Sequence, residues 1–289
     1  MASSVGSKLS LKMASEMIKE VFNEDTFNKF REDGVFCDIN LMVEGKGFPC
    51  HKVVLAARCD YFFSMFSGNF IESQKETVSI EGVTASVSDQ VLKYIYCQEV
   101  FINMSNVFEL LDASNLLLLD ELKRRCAKFL EDRLTEVDLV VVTQKAQLYG
   151  LENLLKACVE LVVTRFSDFQ NVYLSLPCEL AYKVLSCKML VVSSEREVAE
   201  AAMKWLKVHA EHSSSDVEKI MSAVRITECD PLFVKSVLME TDAIKNSGKV
   251  MSMLANYCSQ VCYDLFVPRE VHIQFPRPST GLQCEVRVT

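Results

Sequence analysis

Glycine and tryptophan are scarce: nine glycines and a single tryptophan, Trp205, in 289 residues. β-Propellers repeat glycine- and tryptophan-containing blades, and no internal repeat of blade length is present, so no propeller is expected. A glycine-rich phosphate loop and a serine-centred nucleophile motif are also missing. Cations are outnumbered, with 31 Lys and Arg against 39 Asp and Glu and a net charge of -8. That balance argues against nucleic acid, because phosphate binding needs a concentrated basic surface. The nearest basic cluster, Lys123-Arg124-Arg125, stands beside Glu121, Glu131 and Asp132 and reads as a solvated helix face. No stretch is long and apolar enough to span a bilayer, and the opening MASSVGSKLSLKMASEM holds no apolar core of signal-peptide length. The expected location is the cytoplasm, with the nucleus as an additional one, no membrane partner, and the twelve cysteines reduced and mostly buried.

Catalytic and metal-binding patterns are equally thin. Cys258 with Cys262 and His209 with His212 have close spacing, but no second pair completes a closed zinc site. Cys50 and His51 are adjacent, and neighbouring strand residues point to opposite faces, so they cannot form a nucleophile–base dyad with each other. No cofactor, metal or catalytic residue is expected. What is present is apolar bulk: 49% hydrophobic and 24% charged residues, enough for a sizeable core and two domains.

The most informative stretch covers residues 34–72. Cys37, Ile39, Leu41 and Val43 alternate with Asp38, Asn40 and Glu44, the period of a half-buried strand. Gly45-Lys46-Gly47 is expected to turn the chain, with residues 48–52 as the hairpin partner. Residues 53–66 are apolar almost all round and predict one enclosed helix, stopped by Gly68-Asn69. Upstream, Met13, Met17 and Val21, joined by Ile18, Phe22, Phe27 and Phe30, predict a helix over 14–30. Downstream, residues 77–81 alternate as a short strand. Helices are expected over 87–96 and 107–118, the latter capped from Asn103 to Ser105, and Leu122, Cys126, Phe129 and Leu130 close the domain.

In the run CDINLMVEGKGFPCHKVVLAARCDYFFSMF this order resembles the BTB (POZ) domain. From residue 132 strand signals vanish. Thr135-Glu136-Val137-Asp138 is expected to start a helix, with a capping residue and acids in its first turn, that Gly150 ends, and residues 151–166 form its hairpin partner. Pro177 opens another helix, Ser194 with Glu197 predicts a capping box for residues 195–210, and Val198, Ala202, Trp205, Leu206 and His209 share one face there. Ser213-Ser214-Ser215 reads as a loop, with helices near 217–224, 231–239 and 250–266. The LP-EL-VLSCKMLVVSSEREV-EA-WL run and the later Val224-Arg225 resemble the BACK domain. The expected fold is therefore an α+β BTB/POZ domain, a small mixed sheet packed with helices, followed by an all-α BACK domain. The expected divisions are a mobile 1–13, BTB over 14–131, BACK over 132–266 and a linker over 267–289. In that linker Pro268, Pro276 and Pro278 precede one alternating piece at Cys284, Val286 and Val288.

This order resembles the BTB-BACK-Kelch adaptors of cullin-3 ubiquitin ligases, here without the propeller, as in a short isoform or a truncated member. The resemblance implies a homodimeric, non-catalytic adaptor with cullin-3 as partner, the helix pair at 135–166 as a second cullin contact, and related BTB proteins as further partners. Phe70-Ile71-Glu72, after the stop at Asn69, resembles the hydrophobic-x-Glu motif that holds cullin-3, with Phe70 as desolvated anchor and Glu72 as polar orienter; Tyr61 joins this set. Met17, Val21 and Phe22 would cross the dimer boundary, and Asp38 with Lys52 match the charged pair lining it, although an ordinary strand-edge ion pair has the same sequence. A rival reading is a non-degradative interaction protein, or a short form that caps full-length relatives. A BTB transcription regulator is disfavoured by missing zinc fingers and acidic charge.

Overall fold

The computed structural model describes residues 24–67, 74–211 and 213–266. The chain divides into two compact units, Met1–Arg133 and Leu134–Thr289. Met17, Val21, Phe22, Asn69, Phe70, Glu72, most of the helix expected over 14–30 and the whole 267–289 linker lie outside the described residues.

In the first unit, β1 (Ile39–Val43) alternates buried and half-buried side chains as its sequence predicts. It pairs antiparallel with β2 (Lys46–Cys50), Val43 opposite Lys46. The turn is Glu44–Gly45, both at positive φ (49° and 80°), the geometry of a two-residue hairpin. Lys46 and Gly47 are thus already strand, a correction to the three-residue turn expected. At Gly47 a Cβ would sit 2.9 Å from the Asn40 amide nitrogen, the end of a flexible side chain that would have to shift. β3 (Thr77–Ser79) lies parallel to β1 on its other side, giving the order β2-β1-β3 and a mixed sheet.

The helix expected over 53–66 is two helices, α2 (Lys52–Arg58) and α3 (Asp60–Ser67). Cys59 breaks them with extended backbone (φ -147°, ψ 115°). Its carbonyl accepts the Phe63 amide, and its thiol donates to the Leu117 carbonyl at 3.1 Å. Nor is the segment enclosed, since Val53 is 71% and Phe63 55% exposed. α1 (Glu24–Glu32) precedes the sheet and ends two residues beyond the expected helix. Against the apolar expectation, it buries Asn28 and Arg31. The Arg31 guanidinium lies 5.7 Å from the Tyr96 ring centroid and 3.4 Å from the Asp89 carboxylate. α4 (Ala85–Cys97) presents Val87, Val91, Leu92, Ile95 and Tyr96 inward. α5 (Val107–Leu116) and α6 (Asp120–Glu131) form a hairpin, with Leu122, Cys126 and Leu130 fully buried at four-residue spacing. On the outer face of α6, Arg124 and Arg125 both pair with Glu121, as a solvated basic cluster should.

The second unit is helical throughout its described residues. α7 (Leu139–Leu148) begins later than the expected start at residues 135–138: Asp138 is not in its first turn but caps it, accepting from the Val140 amide at 2.9 Å. Gly150 (φ 64°) ends it, with the Leu151 amide reaching back to the Ala146 carbonyl at 2.8 Å. α8 (Glu152–Thr164) completes the hairpin. α9 (Gln170–Ser175) and α10 (Cys178–Ser186) lead to α11 (Glu195–Val208), whose Val198, Ala202, Trp205 and Leu206 are buried. Trp205 donates its indole N–H to the Leu176 carbonyl at 2.8 Å, and His209 stacks on the indole at 4.1 Å. The Ser194–Glu197 capping box does not form; Glu197 instead accepts from the Ser193 amide and hydroxyl, both at 2.9 Å, one residue earlier. A capping box does form at Ser213 and Asp216, where a loop was expected, and starts α12 (Ser214–Ser222). After a 3-10 turn (Ile226–Glu228), α13 (Pro231–Phe233) runs into a π-helical turn, Val234–Leu238. α14 (Asp242–Lys245) and α15 (Gly248–Phe266) complete the array.

Candidate functional site

The sequence singles out Cys50 and His51, and the fold gives His51 a structural task. Both are buried. The Tyr96 hydroxyl accepts the His51 backbone N–H at 2.8 Å and lies 2.9 Å from Nδ1, while Nε2 lies 2.9 Å from the Val35 carbonyl. A carbonyl only accepts, so Nε2 carries the proton and Nδ1 receives the Tyr96 hydroxyl hydrogen. The Cys37 thiol, 3.8 Å from Nε2, therefore faces an N–H and has no base there. Burial, and then the Asp38 charge, push its pKa up, and burial pushes Cys50 up to about 12. Neither thiol is activated, and the cluster clamps the end of β2 to α4 and to the loop after α1.

Asp38 and Lys52 meet next to this clamp. The Asp38 carboxylate accepts the Lys52 backbone N–H at 2.7 Å, which fixes the start of α2, and the Lys52 ammonium lies 5.9 Å from the Phe66 ring centroid. Around them the surface is apolar. Phe36, 78% exposed and held at φ 60°, packs edge-on to Phe30 at 5.6 Å; its chain neighbour Val35 and Lys52's chain neighbour Val53 are exposed as well. A bulky side chain in the left-handed region costs conformational energy, which marks functional surfaces more often than packing sites.

A second apolar surface surrounds Cys59. The Cys59–Leu117 bond ties the first turn of α3 to the α5–α6 turn, and Phe63, Leu116 and Leu118 are exposed there. Leu118 is also left-handed (φ 56°). Tyr61, on the same turn of α3, is half-buried and meets Phe62 edge-on at 5.3 Å; burial pushes its phenol pKa up. Of the residues expected to hold cullin-3, Tyr61 alone falls within the described chain; Asn69, Phe70 and Glu72 lie outside it. Sequence reasoning missed Leu116 and Leu118. The signal was the run Leu116-Leu117-Leu118-Leu119, in which Leu117 and Leu119 are buried and the other two are not.

A third feature is the stretch at residues 99–102, which lies outside any helix or strand. Among the described residues no acceptor faces the backbone amides of Glu99, Val100, Phe101 and Ile102, and Phe101 is 78% exposed. Asn106 holds the stretch in place, donating to the Phe101 carbonyl at 2.7 Å and to Gln90 at 2.8 Å. Among the described residues no group of three or more His, Cys, Asp or Glu side chains is arranged for a metal ion, and no helix is long and apolar enough to cross a membrane.

Comparison with known proteins matches two family models in succession: BTB/POZ domain over residues 27–134, and BTB And C-terminal Kelch over residues 139–239. The chain is similar to Kelch-like protein 24 of Homo sapiens, 30% identical over 230 residues, which are 79% of this chain and 38% of that protein. It is similar also to Kelch-like protein 22 of Mus musculus, 34% identical over 215 residues, 72% of this chain and 33% of the other. Among solved structures it matches the BTB domain of zebrafish PATZ1 at 28% identity, covering 41% of this chain and 94% of that one, with a TM-score of 0.36. The chain thus spans well under half the length of these curated relatives. Carrying the two domains in that order, the chain belongs to the BTB-BACK family.

Proposed function

We propose that this chain is a dimeric, non-catalytic adaptor that binds cullin-3 through its BTB domain and the adjoining α7–α8 hairpin, acting in the cytoplasm. The observation that carries this reading is the succession of a BTB/POZ and a BACK domain. The exposed apolar surfaces of the first unit support it. The Phe36, Val35 and Val53 surface, with Met17, Val21 and Phe22 from the preceding segment, suits a second copy of the chain. The surface around Phe63, Leu116 and Leu118 suits cullin-3, and the hydrophobic-x-Glu motif supplies Phe70 as anchor and Glu72 as orienter.

Titrating the cullin-3 N-terminal region against the unmodified chain, Phe70→Ala and Leu118→Ala tests the contact. Truncating an anchor should cost about 2 kcal/mol of binding, roughly a thirtyfold weaker complex, with thermal melts unchanged. If Phe70 is instead a core residue, the melt drops, because truncating a buried Phe costs about 3–5 kcal/mol of stability. Unchanged affinity of both well-folded variants would remove these surfaces as the contact. Affinity capture that recovers cullin-3 with no reproducible client would favour a capping role over client delivery.

A further inference from the structure

The second unit holds a groove of about 720 Å³ between the C-terminal half of α11 and residues 240–246. Its apolar lining comes from Met203, Leu206, Ala210 and Ala243. The π-helical turn Val234–Leu238 leads into one wall. Its Met239 amide reaches the Val234 carbonyl at 3.0 Å, and two residues on, the Thr241 hydroxyl touches the Met203 sulfur at 3.3 Å. Such turns insert one residue into a helix and recur at functional sites rather than in plain packing.

The charges around the groove are divided. On the α14 side, Glu240 pairs with Lys245 at 2.7 Å, and Asp242 stands near the same ammonium. On α11, Glu200 pairs with Arg196 at 2.9 Å. Lys204 and Lys207, three residues apart and exposed on α11, have no carboxylate within ion-pair distance among the described residues; the Lys204 ammonium reaches only the neutral Gln170 carboxamide, at 3.5 Å. A polyanion such as nucleic acid would meet Glu240 and Asp242 on the opposite wall. A peptide with apolar residues on one stripe and acids along one edge meets apolar floor and lysines together.

We propose that this groove docks an amphipathic, acidic segment of a protein partner, with its apolar residues on Met203, Ala210 and Ala243 and its carboxylates on Lys204 and Lys207. The site lies in the second unit and does not depend on the cullin-3 contact. Random peptides displayed on phage and selected on the full chain test it. Enriched sequences should carry Asp or Glu three or four residues from apolar anchors. A synthesised winner should bind the Lys204→Glu/Lys207→Glu variant at least about tenfold more weakly, because both lysines are exposed and charge reversal leaves the fold intact. Ala243→Trp, which fills the groove, should abolish binding, and Ala210→Leu offers a milder obstruction if that variant melts early. Selected peptides that lack acids, that bind every variant like the parent, or that never rise above an unrelated protein surface would overturn the proposal.

Discussion

Tyr96 shows how one side chain can hold three chain segments. It receives the His51 amide, faces His51 Nδ1, and lies under the Arg31 guanidinium, so β2, α4 and α1 converge on a single ring. Tyr96→Phe removes the hydroxyl and leaves buried His51 groups without a partner. Leaving such groups unsatisfied costs about 1–3 kcal/mol. A urea titration should show the midpoint lowered with an unchanged slope; an unaltered midpoint would mean the hydroxyl is replaceable by water. The thiols make a second prediction at this scale. Burial pushes Cys50 and Cys126 from an ordinary 9.0 up to about 12. The folded chain therefore keeps protons that the unfolded chain releases. Their contribution is fully present below pH 9 and is lost as the pH rises toward 12, at about 1.4 kcal/mol per pH unit for each thiol. Unfolding free energies measured from pH 7 upward should be flat and then fall above about pH 9, less steeply for Cys126→Ala. An identical alkaline slope for that variant would assign the loss to other groups, such as the buried tyrosines.

Among the elements, the α5–α6 turn stores strain on an exposed residue. Leu118 adopts φ 56°, where a side chain is disfavoured by about 1–2 kcal/mol and glycine is not. Leu118→Gly should relieve that strain, with a net gain of up to about 1 kcal/mol once the added freedom of the unfolded chain is counted. The same change deletes an apolar contact and should weaken cullin-3 binding. A variant that melts higher but binds less tightly is the expected outcome; one that loses both would show that Leu118 serves packing. The break between α2 and α3 belongs to the same scale. Residues 53–66 have helical composition throughout, yet Cys59 is extended between the two helices, its thiol on the Leu117 carbonyl far along the chain.

For the whole molecule, the expected state is a dimer. Phe36 and Val53 are exposed close in the chain to Asp38 and Lys52, and large apolar side chains left on a surface are a feature that proteins otherwise cover. Light scattering at micromolar concentration should report a dimer, and Met17→Glu with Val21→Glu should dissociate it, because an unpaired charge buried in an interface costs several kcal/mol. A clean monomer from the unmodified chain would refute this.

The sequence by itself determined the strand–hairpin–helix order of the first unit, the helical second unit, and most of the core. Period-two and helical patterns report burial directly, and Asp138 and Gly150 act through their own backbone neighbourhood. Some of its errors were local ones of register: the hairpin turn moved because Glu44 accepts a left-handed conformation, and the capping acid Glu197 chose Ser193 over Ser194; the split of residues 53–66 into two helices was a larger one. Only the tertiary structure decided which apolar residues stay outside and which polar ones go in. Leu116 and Leu118 are chemically identical to Leu117 and Leu119, yet the turn geometry exposes one pair and buries the other. Arg31 and His51 are buried because Tyr96, far along the chain, supplies a ring face and a hydroxyl that offset their desolvation. Composition carries no record of such long-range partners. The surfaces on which a partner can dock become visible only once those partners have folded into place.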